Sequence, residues 1–147
     1  MAQEKVVTWD ELVVGTDQKT ERFPFTVTDE HIKRWMDCIG DRNPIYYDDA
    51  AGKAAGLGGK IVPPSMAFIV TQTAGRHAAA RPPGGVHAKQ SFEYFEPVHP
   101  GDVLITSTKI VEKYVKNERK YIVTEAVVTN QKGQKVLVGR STSIVAR

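Results

Sequence analysis

Residues 40–66 read GDRNPIYYDDAAGKAAGLGGKIVPPSM, and the rest of the chain is organised around them. The stretch sets Asp41, Asn43-Pro44, Tyr46 and Tyr47, Asp48 and Asp49, five glycines and Pro63-Pro64 between two helix-like segments. A surface connector needs far less conformational constraint than this. Asn-Pro is a strong turn former, so Asp41, Tyr46 and Asp48 are expected in a fixed arrangement. Fixed polar groups suit acid–base chemistry. Asp41 fits a general base where burial tunes it, and Tyr46 fits a proton donor, a proton acceptor or a substrate orienter. The same residues also fit a plain structural role, with Asp41 capping a turn and Tyr46 packing its ring.

On the upstream side, Thr28 reads as an N-cap, followed by Asp29 and Glu30 where negative charge suits the helix dipole. Ile32, Trp35, Met36 and Ile39 fall at i, i+3, i+4 and i+7, one apolar stripe that Gly40 is placed to end. His31 and Lys33 lie off that stripe and need no special role. Before it, Phe23, Phe25 and Val27 alternate like a strand with Pro24 marking an edge, and Trp9, Leu12 and Val13 read as a lead-in packed on the core. Cys38, the only cysteine, has no disulfide partner and no metal-ligand spacing, and reads as a small buried hydrophobe.

Downstream, DDAAGKAAG predicts a short helix begun by an Asp and stopped at Gly56. From Pro64 the run continues as SMAFIVTQTA, apolar on most sides, which predicts a largely enclosed helix with prolines in its first turn. Four strand candidates follow: VHAKQSFEYFEPV, DVLITSTKIVEKYV, RKYIVTEAVVTN and KVLVGRSTSIVAR, separated by HPG, KNE and QKGQ turns. In the first of them Val86, Ala88, Gln90, Phe92 and Tyr94 share a face, and the four together predict an antiparallel meander. The order of elements describes one α+β domain over residues 1–147, with the long helix lying across one face of the sheet.

Composition narrows the classes of function. The 147 residues carry a net charge of +3, with Lys and Arg scattered among 17 acids and no basic run interleaved with aromatics, which argues against nucleic acid as a partner. No run approaches membrane-spanning length, and the first fifteen residues carry acids without an apolar signal core, so a cytoplasmic protein is expected. No pair of histidines has metal-ligand spacing, and His77, His87 and His99 read as structural or exposed.

The order D-x-N-P-x-[aromatic]-x-D at 41–48, IVPPSM at 61–66 opening an apolar helix, and FEYFEPVHPGD at 92–102 leading into a strand resembles the MaoC-like hot-dog family. Its members are (R)-specific enoyl-CoA hydratases and 3-hydroxyacyl thioester dehydratases. The resemblance runs from about Phe23 to the C-terminus. It implies a single hot-dog domain, an antiparallel sheet wrapped around the helix after Pro64, with strands joined across a homodimer or a heterodimer with another hot-dog chain. It also implies an acyl-CoA or acyl-ACP thioester as substrate, with coenzyme A or acyl carrier protein as carrier only and no other cofactor or metal.

In active members an Asp and a His five residues later hold the water that adds across the double bond, and a backbone N–H at the start of the helix polarises the thioester carbonyl. Asp41 matches the acid, Asn43 and Pro44 match the Asn-Pro pair, and Asp48 matches the acid two residues after the histidine. Tyr46 stands where the histidine does. A phenol with a reference pKa of about 10 is a poor base near neutral pH but remains a competent donor. Active relatives carry Ala-His-Gly where this chain has Val62, Pro63, Pro64 and Ser65, so a donor must come from Ser65 or Met66. In these respects the chain is most similar to the N-terminal repeat of double hot-dog hydratases, or to the substrate-binding subunit of heteromeric mycobacterial dehydratases. The catalytic candidates are therefore Asp41 and Tyr46. The substrate-binding candidates are Asn43, Ser65, Met66 and Phe68, with an acyl tunnel expected beside Met66, Phe68 and Ile69.

Overall fold

A computed structural model describes residues 7–15, 17–18, 24–73, 82 and 84–145. In chain order the elements are β1 (Asp17–Gln18), β2 (Phe25–Thr26), α1 (Asp29–Ile39), a 3-10 turn at Pro44–Tyr46 and α2 (Asp49–Ala54). A second 3-10 turn at Pro64–Met66 runs into α3 (Ala67–Thr73), followed by β3 (Val86–Tyr94), β4 (Val103–Lys116), β5 (Arg119–Thr129) and β6 (Lys135–Ile144). Phe23 and His77 lie outside the described residues.

Helix α1 starts and stops where its caps dictate. The Thr28 hydroxyl accepts the His31 N–H at 3.3 Å, and His31 Nδ1 accepts the Thr28 N–H at 3.2 Å, so His31 closes a capping box and has a role after all. Gly40 ends the helix in the left-handed conformation at φ 72°, donating its N–H to Met36 O. Ile32 and Met36 are buried and Trp35 half-buried, but Ile39 is exposed. Cys38 is exposed too, contrary to expectation. The buried contact is limited to the stripe Ile32–Met36, and the last turn of α1 runs past the core it packs on.

The sheet is antiparallel in the order β1-β4-β5-β6-β3, with β2 also on the β4 edge. Only β4, β5 and β6 form the expected meander. β3 joins β6 at the far side and does not pair with β4. The reason lies in the connection at 95–102, which is stitched elsewhere: Phe95 N–H donates to Val136 O, Val62 N–H to Val98 O and Gly101 N–H to Val27 O. The chain therefore crosses under the start of α3 instead of turning back on itself. A register shift between His87 and Lys89 interrupts the alternation of β3, so the expected common face holds for Gln90, Phe92 and Tyr94 but not across Ala88.

The main core gathers Val27, Ile32, Met36, Leu104, Val128 and Val136, none more than 2% exposed, with α3 contributing Met66, Ala67 and Val70. Burying each large apolar side chain stabilises the fold by roughly 1.5–3 kcal/mol. Helix α3 is less enclosed than its composition suggests. Met66, Ala67, Val70 and Thr71 face inward, while Phe68 is 45% exposed, because the chain's own curled sheet covers one side only. A smaller cluster of Leu12, Ile110 and Ile122 is covered by Trp9, whose indole donates to Tyr121 O at 3.0 Å. Val13, expected beside them, points outward.

One glycine fixes the position of the 40–66 stretch. A Cβ on Gly52 would stand 1.9 Å from Gly59 O, so α2 packs directly on the backbone of the following loop. Gly52→Ala is expected to lower the thermal midpoint, at a cost of about 1–3 kcal/mol. An unchanged melting curve would show that α2 and this loop are not in contact.

Candidate functional site

From Gly40 the chain enters a turn built by its own side chains. The Asp41 carboxylate accepts the Asn43 N–H at 2.9 Å, and the Asn43 side-chain oxygen accepts the Ile45 N–H at 3.2 Å, capping the 3-10 turn with Pro44 at its first position. The Tyr47 hydroxyl donates to Asp41 O at 3.1 Å. Asp48 caps α2 by accepting the Ala50 N–H at 2.9 Å, and Asp49 accepts the Lys60 N–H at 3.0 Å. Arg42 reaches back to Asp37 at 2.9 Å, and Lys33 binds the same carboxylate, holding it below its usual range. Asp41 is thereby half-buried and anchored, and Asn43 is engaged in capping.

Tyr46 packs its ring against the main core and is half-buried. Burial first, and the neighbouring Asp41 charge second, push its phenol above the ordinary value of about 10. Both causes act in the same direction: the hydroxyl stays protonated, as a donor, throughout the neutral and mildly alkaline range. A carboxylate and a phenol that its charge helps to keep protonated thus share a loop whose backbone is fixed by four side-chain caps.

The loop and α1 are each joined once to the segment that enters α3. Ile61 N–H donates to Ile45 O at 3.1 Å, and Trp35 Nε1 donates to Ser65 Oγ at 2.9 Å. At the helix start, Met66 N–H donates to Pro63 O and Ala67 N–H to Pro64 O, while both prolines lack an N–H. At this helix start, among the described residues, no acceptor is found for the Ser65 N–H. Met66 itself is 3% exposed and belongs to the core, and Phe68 turns outward, edge-on to His87 at 5.9 Å. The structure therefore sets Asp41 and Tyr46 on one capped turn, ties that turn to the segment leading to Ser65 through Ile61 and Ile45, keeps Asn43 in a supporting position, and sets Met66 and Phe68 to different sides.

None of the described histidines stands beside Asp41. His31 caps α1, His87 lies against Phe68, and His99 places Nδ1 2.9 Å from Lys60 O, over the glycines at 58 and 59. Among the described residues no three His, Cys, Asp or Glu side chains are grouped to hold a metal, and no helix is long and apolar enough to cross a membrane.

Two apolar recesses flank α3. Met66 and Ile69 border a shallow one of about 210 Å³ with Phe25, Trp35 and Cys38; Phe68 is not part of its wall. The other, about 230 Å³, lies between the helix start, the loop before it and the segment after β3. Tyr94 closes one of its walls, its hydroxyl donating to Pro64 O at 2.8 Å. Burial raises the Tyr94 phenol as well, so this bond persists into alkaline solution. The sequence pointed to Tyr94 only as one of the alternate residues sharing a face of β3 and as part of the run FEYFEPVHPGD.

Comparison with known proteins accounts for this arrangement. The family described as the FAS1-like dehydratase domain region matches residues 13–138. A UPF0336 protein of Streptomyces avermitilis is 38% identical over 92 residues, 58% of this chain and 61% of that protein, so the alignment spans less than two thirds of the relative. A MaoC-like dehydratase from Rhodospirillum rubrum superposes with TM-score 0.80 at 19% identity, over 96% of this chain and 97% of that one. A chain of the HadBC (3R)-hydroxyacyl-ACP dehydratase complex of Mycobacterium tuberculosis superposes with TM-score 0.77 at 21% identity, over 89% and 96%. Likeness at this identity speaks for the fold, and the match across 13–138 speaks for the lineage: the chain belongs to the FAS1-like dehydratase region family and has the hot-dog fold of the MaoC-like dehydratases.

Proposed function

We propose that this protein acts on acyl thioesters as a hydro-lyase, hydrating trans-2-enoyl-CoA or dehydrating (R)-3-hydroxyacyl-CoA or -ACP. The observation that carries this reading is that Asp41 and Tyr46 are held on one capped turn, where burial and then the Asp41 charge keep the phenol protonated. In the hydration direction Asp41 takes a proton from water as the water oxygen bonds to C3, and Tyr46 delivers its proton to C2. The protonated Asp41 then returns a proton to the phenolate, so the net change is addition of one water. Ser65 N–H, without an acceptor, polarises the thioester carbonyl as charge develops on it. Coenzyme A or acyl carrier protein serves only as the carrier.

A second reading is favoured by one observation. His31, His87 and His99 are all engaged elsewhere, so among the described residues no imidazole is placed with Asp41 on its loop. The chain would then bind the acyl group within a heteromer whose other hot-dog subunit carries an Asp–His pair. The β3 edge suits either assembly: among the described residues β3 pairs only with β6, leaving nine residues open to a second hot-dog chain, the same or different.

Purified chain is assayed for loss of enoyl absorbance with crotonyl-CoA and octenoyl-CoA, with its mass measured by light scattering. Turnover by a homo-oligomer supports the first reading. Absence of turnover until a MaoC-like chain from a neighbouring gene is added, with formation of a mixed oligomer, replaces it with the second.

A further inference from the structure

The bond from Ile61 N–H to Ile45 O ends on the peptide unit that carries Tyr46, and the Ile61 peptide unit is itself held from its other side. Its carbonyl is Lys60 O, which lies 2.9 Å from His99 Nδ1. A carbonyl oxygen can only accept, so Nδ1 carries the proton and the ring donates. One peptide group thus links His99 to the turn of Asp41 and Tyr46, accepting at its oxygen and donating at its nitrogen, and each bond polarises the group in the sense that strengthens the other. The segment leading into it has little of its own to fix its path. Gly58 and Gly59 stand at φ 79° and 158°, and the His99 ring lies against both, with ring atoms 3.9 Å from where either Cβ would be. His99 is in turn fixed to the sheet. Its N–H donates to Asp102 Oδ2 at 2.8 Å, Asp102 Oδ1 accepts from Gln131 Nε2 of the β5–β6 turn at 2.7 Å, and Gly101 N–H donates to Val27 O at 2.8 Å.

Resting on the acid–base reading of that turn, we propose that His99 is a positioning residue for Asp41 and Tyr46, holding their turn in place against the sheet through the Lys60–Ile61 peptide. The other bonds at this point do less. Asp49 accepts the Lys60 N–H at 3.0 Å, but α2 belongs to the stretch that has to be placed. The Lys60 ammonium pairs with Asp29 at 2.8 Å, and with the Asp29 side chain 68% exposed that pair contributes little. Val62 N–H donates to Val98 O at 2.7 Å, one peptide beyond the bridge. His99 alone among these acts on the oxygen of the bridging peptide itself.

The test reads the Tyr46 ionisation, which does not depend on turnover, by ultraviolet titration of the full chain as the difference between each protein and its Tyr46→Phe counterpart. His99→Phe keeps a ring and removes the N–H, and His99→Leu is made beside it so that one variant failing to fold leaves the other. A turn released from the bridging peptide exposes the phenol to water and removes the first cause of its raised value. Each variant should therefore titrate below wild type, toward the ordinary value near 10. Where wild type turns over crotonyl-CoA, kcat should fall about 10- to 100-fold with KM changed by no more than about 2-fold. His99→Asn should match wild type in both measurements, because its side-chain N–H branches from the same carbon as Nδ1. Folded His99→Phe and His99→Leu proteins that melt earlier but titrate as wild type overturn the proposal, leaving His99 a merely structural residue. A His99→Asn protein that titrates with the two apolar variants overturns it as well. Absence of turnover in wild type, with the titration shift present, overturns the hydro-lyase reading and leaves the positioning role standing.

Discussion

If the chain is a hydro-lyase as proposed, Tyr46→His is expected to raise the rate of crotonyl-CoA hydration by the purified chain about 100-fold or more, and to give its pH–rate profile a new limb near pH 6.5. The wild-type phenol is confined to one protonation state. Burial and the Asp41 charge both oppose its ionisation, so it can give a proton but, being already protonated, cannot serve as the base that takes one from water near neutral pH. An imidazole at the same site exchanges protons in both directions, and the adjacent carboxylate stabilises its charged form. General acid–base assistance of this kind is commonly worth 100- to 10,000-fold. The frame for the new side chain already exists, because Asn43, Asp48 and Tyr47 fix the turn through bonds that do not involve Tyr46. A folded Tyr46→His protein no faster than wild type would show that the proton donor at this position does not limit the rate, and that the loop geometry or the oxyanion donor does.

How far the sequence discloses this arrangement depends on the range of the interactions involved. Helix α1 was readable from Thr28, the acids after it and Gly40, because caps act within a few residues. The four long strands were readable for the same reason, since alternation and turn residues are local signals. Strand partners are not local. Nothing within Val86–Tyr94 says that it pairs with Lys135–Ile144 rather than with the strand next in sequence, and the bulge near Ala88 depends on that pairing. Cys38 and Ile39 illustrate a related limit: their helical spacing is correct, but whether anything lies opposite them depends on the rest of the fold. The site divides in the same way. Asp41, Asn43 and Tyr46 are neighbours in the chain and were found together, whereas the Tyr94–Pro64 bond joins residues thirty apart and the recess beside it draws on four segments.

On the same reading, Asp41→Asn is expected to reduce hydration by the purified chain at least about 1,000-fold, while leaving the loop folded. The substitution is chosen because the structural task of Asp41 is one an amide can perform. Its carboxylate oxygen accepts the Asn43 N–H at 2.9 Å, and the amide oxygen of an asparagine accepts the same bond. The Tyr47 hydroxyl binds the backbone carbonyl of residue 41 and is indifferent to the side chain. What the amide cannot do is take a proton from water. Loss of one member of a cooperating pair removes nearly all of the pair's contribution, which sets the expected size of the effect. The charge is lost as well, and with it the secondary cause that raises the Tyr46 phenol. Ultraviolet titration of Asp41→Asn should therefore place the Tyr46 ionisation lower than in wild type, toward the ordinary value near 10. That shift separates chemistry from structure. If activity falls and the phenol shifts down, Asp41 is the base and lies where it faces Tyr46. If the phenol shifts while the activity of a mixed oligomer with an Asp–His-bearing chain is unchanged, Asp41 faces Tyr46 but its proton chemistry is idle. The loop is then a retained frame around a binding site, with the water handled by the other subunit.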